Sequence, residues 1–269
     1  STRGDEILDA PLWNFGGKGL FVKELEIAML EGCVDIAVHS LKDVPMILPD
    51  GLKLGAIFRR DDPFDAFVAN DYTSLDGMPS GAIVGTSSLR RRCQLLARYP
   101  RLVVRDLRGN VNTRLMRLDD GDYDALILAS AGLRRLQMGD RIADRLSADF
   151  MLPAAGQGAM AIECRSDEPC LEDLLAPLNH NDSATCVIAE RAVMRSLGGG
   201  CQLPVAAYAE LQDNSDDLCI RAMVGRPDGT ELLSQEIIGS RQSPESLGEQ
   251  LAFELIAAGA AEIIAMSDE

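Results

Sequence analysis

Clustered arginines are the first feature of this sequence with a clear chemical use. The arginines that stand together or follow short turns are Arg90, Arg91, Arg92, Arg108, Arg114 and Arg135. Guanidinium groups bind carboxylates and phosphates through paired, charge-assisted hydrogen bonds. Because the whole chain has a formal net charge of −16, this local cluster of cations indicates a pocket for a small polyanion.

Three hydroxyl side chains precede the arginine run, in Thr86, Ser87 and Ser88. They lie between a predicted strand and a predicted helix, where unpaired backbone N–H groups and the helix dipole favour an anion. The alternative is that Ser87 or Ser88 caps the helix and the arginines line its solvated face. Three consecutive arginines cannot all face the same way, so some of them should point toward the strand ends.

Lys42 and Asp43 lie shortly after the apolar segment 34–38, which is predicted to be a buried strand, and precede Pro45. In open α/β sheets, ligands bind just beyond the carboxyl ends of strands. Asp43 could therefore stabilise a developing cation or relay protons, although an exposed Lys–Asp pair is an equally simple reading. His39, which directly follows that segment, is expected to pack rather than to act as a base.

Cys201 and Lys18 lie in glycine-rich loops. Three glycines precede Cys201, so its thiol could be presented to a cleft or could be a spare loop thiol. Lys18 is flanked by glycines but lacks the spacing of a nucleotide-binding P-loop, which argues against a nucleoside triphosphatase. Lys18 either borders the cleft or is solvated.

Composition excludes several other classes of function. The 269 residues predict two or three domains, and 42 acidic against 26 basic residues disfavour nucleic-acid and anionic-membrane partners. No long apolar run predicts a membrane-spanning helix. Seven scattered cysteines without a C-x-x-C pair, and only two histidines, favour reduced thiols, a cytoplasmic protein and no metal.

The pattern of apolar residues predicts two crossings between α/β units. Strands and helices alternate from residue 82 to about residue 135, which is typical of a parallel sheet covered by helices. Polar residues 59–63 and the flexible segment 151–158 look like linkers on either side of that unit. The tail after residue 204 predicts three strands and a helix, as in a small α+β domain.

Six motifs, in order along the chain, resemble those of the porphobilinogen deaminase (hydroxymethylbilane synthase) family. They begin at Gly16, His39, Gly85, Leu107, Pro153 and Gly199, and they read GGKGLF, HSLKDVP, GTSSLRR, LRGNVNTR, PAAGQG and GGCQLP. The resemblance implies an α/β fold with two doubly wound lobes, similar to those of periplasmic binding proteins, and a small C-terminal α+β domain. The implied boundaries are residues 1–58 with 155–178 for domain 1, 59–154 for domain 2 and 179–269 for domain 3.

The same resemblance implies roles for individual residues. Asp43 matches the catalytic carboxylate, and Cys201 matches the cysteine that holds a dipyrromethane cofactor by a thioether. The remaining cofactor-binding positions are Lys42, Thr86, Ser87, Ser88, Arg90 and Arg91. The positions implied for substrate carboxylates are Lys18, Arg108, Arg114 and Arg135.

The implied activity is that of a transferase that makes the linear tetrapyrrole hydroxymethylbilane for haem biosynthesis. Porphobilinogen loses ammonia, and the free α-carbon of the terminal ring on the enzyme attacks the resulting methylene; four additions and a hydrolysis release the product. A monomer is expected. Family members usually begin with a further strand and helix, so the chain is expected to lack about one βα unit, and Asn14 stands where some relatives have a lysine.

Two other functions remain open from sequence. A two-lobed protein that binds a polyanion without catalysis would show the same arginine cluster, because fold alone does not establish catalysis. A nucleic-acid-binding module would also be rich in arginine, but the net charge of −16 and the 4% aromatic content argue against it.

Overall fold

Three β-sheets organise the protein. The computed structural model describes residues 22–200, 203–213 and 215–265. In chain order its helices and strands are α1 (Lys23–Leu30), β1 (Ile36–Ser40), β2 (Leu52–Ile57), β3 (Asp65–Val68), β4 (Ile83–Gly85), α2 (Leu89–Arg98), β5 (Val103–Arg105), α3 (Val111–Asp119), β6 (Ala125–Ala129), α4 (Ser130–Arg135), β7 (Asp144–Leu146), β8 (Met160–Arg165), α5 (Pro169–Leu175), α6 (Asn181–Ser196), β9 (Val205–Leu211), β10 (Asp217–Gly225), β11 (Leu232–Ser240), α7 (Pro244–Ala257) and α8 (Ala260–Ala265).

The first sheet has the strand order β1-β8-β2, and both outer strands run antiparallel to β8. The strand predicted at 34–38 begins two residues later, at Ile36. The reason is that Cys33 and Val34 still donate their N–H groups to the carbonyl of Ala28 at the end of α1. Pairing of His39 with Ala161 then extends the strand beyond its apolar segment.

The second sheet has the order β5-β4-β6-β3-β7. The predicted parallel arrangement holds for β5, β4 and β6. β3 and β7 depart from it: β3 is antiparallel to β6 and to β7. β3 directly follows the first linker and precedes the alternation of strands and helices that begins at residue 82. That alternation therefore does not determine the direction of β3. Apolar side chains cover both faces of this sheet.

The third sheet has the order β11-β10-β9, fully antiparallel. Helices α6, α7 and α8 cover one face and bury residues such as Ala189, Leu218 and Leu251. Around Cys93 of α2, a smaller cluster with Ala206 and Met223 packs the second unit against the other face. The α/β fold with a small C-terminal α+β domain is therefore confirmed. No helix in the described part of the chain has the length and apolar character to cross a membrane.

The two predicted linkers connect different sheets. Residues 59–63 lead from β2 in the first sheet to β3 in the second, and residues 147–159 lead from β7 back to β8. The linkers touch each other, since Asp61 donates its N–H to the carbonyl of Gly158. These strand memberships support the proposed domain boundaries given above.

A buried carboxylate on α6 joins both linkers to the third sheet. Glu190 is fully buried and accepts from the guanidinium of Arg60, at 2.5 and 3.1 Å. It also accepts the N–H groups of Gly156, at 2.7 Å, and of Ala209, at 2.8 Å. Arg60 belongs to the first linker, Gly156 to the second and Ala209 to β9. One side chain therefore holds three segments that are far apart in sequence.

Gly158 is the tightest point between the linkers and gives a stability prediction. Its φ is +85°, and a Cβ there would lie 2.8 Å from the carbonyl oxygens of both Asp61 and Asp62. Gly121 has a similar φ of +81° but no atom within 4 Å of such a Cβ. We expect Gly121→Ala to lower the free energy of unfolding by about 1 kcal/mol, from backbone strain alone. Gly158→Ala should cost about 2 kcal/mol more, because rigid backbone blocks the methyl group.

Urea denaturation of the two variants tests this difference. Equal losses of stability in Gly158→Ala and Gly121→Ala would show that the linkers are not in close contact.

Candidate functional site

A cleft of about 160 Å³ lies where the three units meet. One wall is polar and is formed by Lys42, Asp43, Ser88, Arg90, Arg91 and Gln157. The other wall is formed by small and apolar residues, among them Met46, Ala154, Met194, Leu203 and Val205. Gly200, the residue before Cys201, also lines the cleft. The arrangement suits flat apolar molecules that carry negative groups along one edge.

Lys42 and Asp43 lie in a single 3₁₀ turn, Leu41–Asp43, directly after β1. Leu41 is buried and donates its N–H to the carbonyl of Ala159, which anchors the turn to the second linker. Asp43 itself is exposed. The position of both residues beyond a strand end agrees with the sequence prediction. His39 is buried with its Nε2 3.0 Å from Glu163 Oε2, as expected of a packed residue.

The backbone after Asp43 is held by a helix of the third unit. Arg191 on α6 donates to the carbonyls of Val44, Pro45 and Met46, at 3.3, 2.5 and 3.2 Å. Arg191 is almost fully buried. The carboxylate-bearing turn is therefore tied to α6, the helix that leads toward Gly200.

The electrostatics of the cleft are visible at Lys42. Burial lowers the pKa of its ammonium group, because a charged amine is poorly solvated there. Arg91 and Arg90 lower this pKa further, whereas the carboxylates of Asp43 and Asp65 raise it. The net lowering therefore comes from burial, the largest of these effects, because the two carboxylates oppose the two guanidinium groups.

The hydroxyls before α2 serve mainly to build the cleft wall. Ser88 caps the helix, accepting the N–H of Arg91 at 3.4 Å, and the capping interpretation therefore applies to it. Thr86 is buried and accepts the N–H of Ser88. Ser87 both donates to the carbonyl and accepts the N–H of Leu107 at 3.0 Å, which joins the ends of β4 and β5.

Arg90 and Arg91 point inward, onto a carboxylate that the sequence analysis did not single out. Asp65, the first residue of β3, is fully buried. Its Oδ2 lies 2.8 Å from Arg90 Nη1 and its Oδ1 lies 2.7 Å from Arg91 Nη2. These guanidinium groups hold the pKa of Asp65 well below its usual range, although burial acts in the opposite direction. The only sequence signal was an acidic residue at the start of an otherwise apolar strand.

The arginines predicted to bind substrate are not all in one place. Burial lowers the pKa of Arg114, as do the charges of Arg91 and Arg108, while Asp43 opposes them. Arg114 and Arg108 therefore belong to the same electrostatic environment as the cleft. Arg135 is exposed, does not line the cleft, and donates to the carbonyl of Gly158 at 2.6 Å.

Two predicted site residues, Lys18 and Cys201, lie outside the described residues. Among those that are described, no group of three or more His, Cys, Asp or Glu side chains could hold a metal ion.

Burial beside the cleft predicts an unusual lysine. We expect Lys42 to lose its proton below the ordinary pKa of a lysine, and Asp43→Asn to lower that pKa further, because the variant removes a stabilising negative charge. NMR titration of ¹³C-methylated lysines measures both, and the signal that disappears in Lys42→Arg identifies the residue. A Lys42 pKa at or above the ordinary value would contradict this account of the cleft.

Three solved structures are distantly similar to part of this chain. A putative methionine-binding lipoprotein from Bacillus subtilis is 13% identical, with a TM-score of 0.41 over 60% of this chain and 76% of that one. The VFT2 domain of BvgS from Bordetella pertussis is 20% identical, with a TM-score of 0.36 over 57% and 65%. A periplasmic substrate-binding protein from Coxiella burnetii is 14% identical, with a TM-score of 0.39 over 57% and 74%. Similarity at this level carries no argument about function.

Family models give a specific result. Residues 1–173 match the dipyromethane cofactor binding domain of porphobilinogen deaminase. Residues 184–257 match the C-terminal domain of the same enzyme. The two matches follow each other in the order found in that enzyme and cover most of the 269 residues. The chain therefore belongs to the porphobilinogen deaminase family.

Proposed function

We propose that the cleft between the three units is the active site of this transferase. Membership of the family makes the chain a hydroxymethylbilane synthase, which joins porphobilinogen units on a dipyrromethane cofactor. In the proposal Asp43 is the catalytic residue and Cys201 is the point of cofactor attachment. Lys42, Thr86, Ser87, Ser88, Arg90 and Arg91 form the cofactor site. The residues proposed for substrate carboxylates are Lys18, Arg108, Arg114 and Arg135.

One observation carries the proposal. Lys42 and Asp43 follow a strand of the first sheet, and Ser88, Arg90 and Arg91 follow a strand of the second. All five line one cleft together with Gly200. Gly200 immediately precedes Cys201 in the chain. The proposed catalytic and anion-binding residues therefore line one cleft, and the residue before the proposed attachment point lines it too.

The residues present fit a dipyrromethane. Its acidic side groups need cations, which Lys42 and the two arginines supply, and its flat rings need an apolar surface, which Met46, Met194 and the small residues beside them supply. Ser88 uses its oxygen as a helix cap and keeps its hydroxyl hydrogen for a carboxylate. When bound, the cofactor supplies the nucleophilic pyrrole carbon on which the chain of rings is extended.

Thr86 and Ser87 have a more indirect part in this proposal. Their hydroxyls are engaged by the backbone at Ser88 and Leu107. They shape the end of β4 so that the capped helix start and its arginines face the cleft. Arg135, tied to Gly158, would reach substrate only by leaving that carbonyl.

Asp43 is suited to stabilise positive charge. Its carboxylate lines the cleft, and its charge acts on the cations Lys42, Arg91 and Arg114. An ionised carboxylate accepts hydrogen bonds from pyrrole N–H groups and stabilises the positive charge that develops as ammonia leaves. Fixed charges of this kind act strongly because they need no reorganisation during the reaction.

The chemistry is tested first at Asp43. Asp43→Asn keeps the size of the side chain but removes its charge, so we expect kcat to fall at least about 100-fold while the protein stays folded. The control is Asp50→Asn, another exposed aspartate on the same stretch of chain, which should keep its activity. The measurement is the initial rate of hydroxymethylbilane formation. Normal turnover in Asp43→Asn would remove Asp43 from the catalytic role.

The attachment site is tested by intact-protein mass spectrometry. Cys201→Ser should lose the mass of a dipyrromethane, because serine cannot form the thioether. Cys33→Ser changes an exposed cysteine and should keep the added mass. An unmodified parent protein, or added mass in Cys201→Ser, would refute the proposed attachment.

We further propose that the protein acts as a cytoplasmic monomer and does not bind nucleic acid. The net charge of −16 supports this, because it opposes nucleic acids at long range. The scattered cysteines, without a C-x-x-C pair, support a reducing compartment.

A further inference from the structure

We propose that Asp65 is a positioning residue for the cofactor site: it orients the guanidinium groups of Arg90 and Arg91 toward the cleft and balances part of their charge. The inference rests on the proposed function, in which these two arginines hold acidic groups of the cofactor. Asp65 does not itself line the cleft, so it acts through the arginines.

The contacts of Asp65 use most of its hydrogen-bonding capacity. Its carboxylate accepts from Arg90 Nη1 at 2.8 Å, from Arg91 Nε at 3.0 Å and Nη2 at 2.7 Å, and from Gln157 Nε2 at 2.9 Å. The side chain has no exposed surface. A planar carboxylate that accepts four such hydrogen bonds has little freedom to rotate. It therefore fixes the orientation of the side chains that donate to it.

These contacts determine which edge of Arg90 remains for a ligand. Nη1 of Arg90 donates to Asp65 and, at 2.7 Å, to the carbonyl of Leu152. Among the described residues, neither Nε nor Nη2 of Arg90 has an acceptor. Nε and Nη2 form one of the two edges that bind a carboxylate in a bidentate manner. Because Arg90 lines the cleft, that edge is the one presented to an acidic group.

Arg91 has a different part in the same arrangement. Its Nε and Nη2 are taken by Asp65, and its Nη1 donates to the carbonyl of Ile127 at 2.9 Å. Two of its five N–H hydrogens are left for other acceptors. Arg91 therefore contributes mainly fixed positive charge, whereas Arg90 contributes a directed pair of donors.

Charge balance is the second way in which Asp65 supports the proposed cofactor site. Lys42, Arg90 and Arg91 all line the cleft, and three neighbouring cations that are partly removed from water repel one another. Asp65, which is buried next to the arginines and does not line the cleft, offsets one of these positive charges. Its negative charge also raises the pKa of Lys42, opposing the effects of burial and of the two arginines.

The position of Asp65 links the cofactor site to the linkers. It is the third residue after the first linker's Asp62, and Gln157 of the second linker donates both to Asp65 and to the carbonyl of Pro63, at 2.7 Å. The orientation of the arginines thus depends on both linkers keeping their places.

The test compares two fully buried carboxylates. Asp65→Asn removes the charge behind the cleft, and Glu163→Gln removes one paired with His39 in the first sheet, which does not line the cleft. Asp65→Asn should lose stability, because it breaks a buried ion pair, and Glu163→Gln controls for the loss of a buried carboxylate elsewhere. Only Asp65→Asn should lose bound cofactor by intact mass. In the fraction that retains the cofactor, kcat/KM should fall about 100-fold, the scale expected when binding groups are misplaced by about 1 Å.

A pH profile separates positioning from stability. The groups whose charges act on Lys42 are Asp43, Asp65, Arg90 and Arg91. We expect activity to fall at alkaline pH as Lys42 loses its proton, because the neutral amine no longer attracts an acidic group of the cofactor. Removing the charge of Asp65 lowers the pKa of Lys42, so this fall should move to lower pH in Asp65→Asn and stay in place in Glu163→Gln. Full cofactor content with kcat/KM within twofold of the parent would overturn the inference.

If Asp65→Asn does not fold, Gln157→Met tests the positioning role of Asp65 with a smaller change, which leaves the charge of Asp65 in place. It removes one donor to Asp65, and KM for porphobilinogen should rise severalfold; an unchanged KM overturns the inference. The parent protein distinguishes the two levels of the argument. A parent without cofactor or activity refutes the proposed function, whereas an active parent with unaffected variants refutes only the role of Asp65.

Discussion

The fold depends on one buried ion pair between segments that are distant in sequence. Glu190 of α6 binds Arg60 of the first linker and the backbone of Gly156 in the second linker. A buried carboxylate in this position is stable only while its partners stay in place, since an unpaired buried charge is strongly unfavourable. The position of the C-terminal unit is thereby coupled to both connections between the lobes, and the cleft lies beside that junction.

Local charge in the cleft runs against the charge of the whole protein. Lys42, Arg90 and Arg91 line the cleft, whereas the full chain carries −16. Long-range repulsion therefore acts on any polyanion, and short-range hydrogen bonds to fixed cations act only on a molecule small enough to enter. The cleft therefore favours small polyanions over large ones. An extended polyanion is repelled by the negative surface and is too large to reach the cations in the cleft.

The sequence was most informative where structure is local. Alternating apolar segments gave the parallel strands around β4, and the position of Asp43 beyond β1 followed from strand-end geometry. The direction of Arg90 and Arg91 was only partly predictable, because it depends on Asp65, about 25 residues earlier in the chain. Asp65 and Gln157 were missed because nothing in their local sequence shows that they meet in space. The antiparallel setting of β3 also comes from the linker rather than from its own residues.

The hydrogen bonds from Arg191 to three successive carbonyls have a mechanical consequence. The turn that carries Asp43 belongs to the first lobe by sequence, yet it is fastened to α6, whose C-terminal end runs into the glycines before Cys201. A rigid helix of 16 residues transmits displacement along its axis with little loss. Any tilt of α6 would therefore move the turn that carries Asp43 with it, because Arg191 joins the helix to that segment.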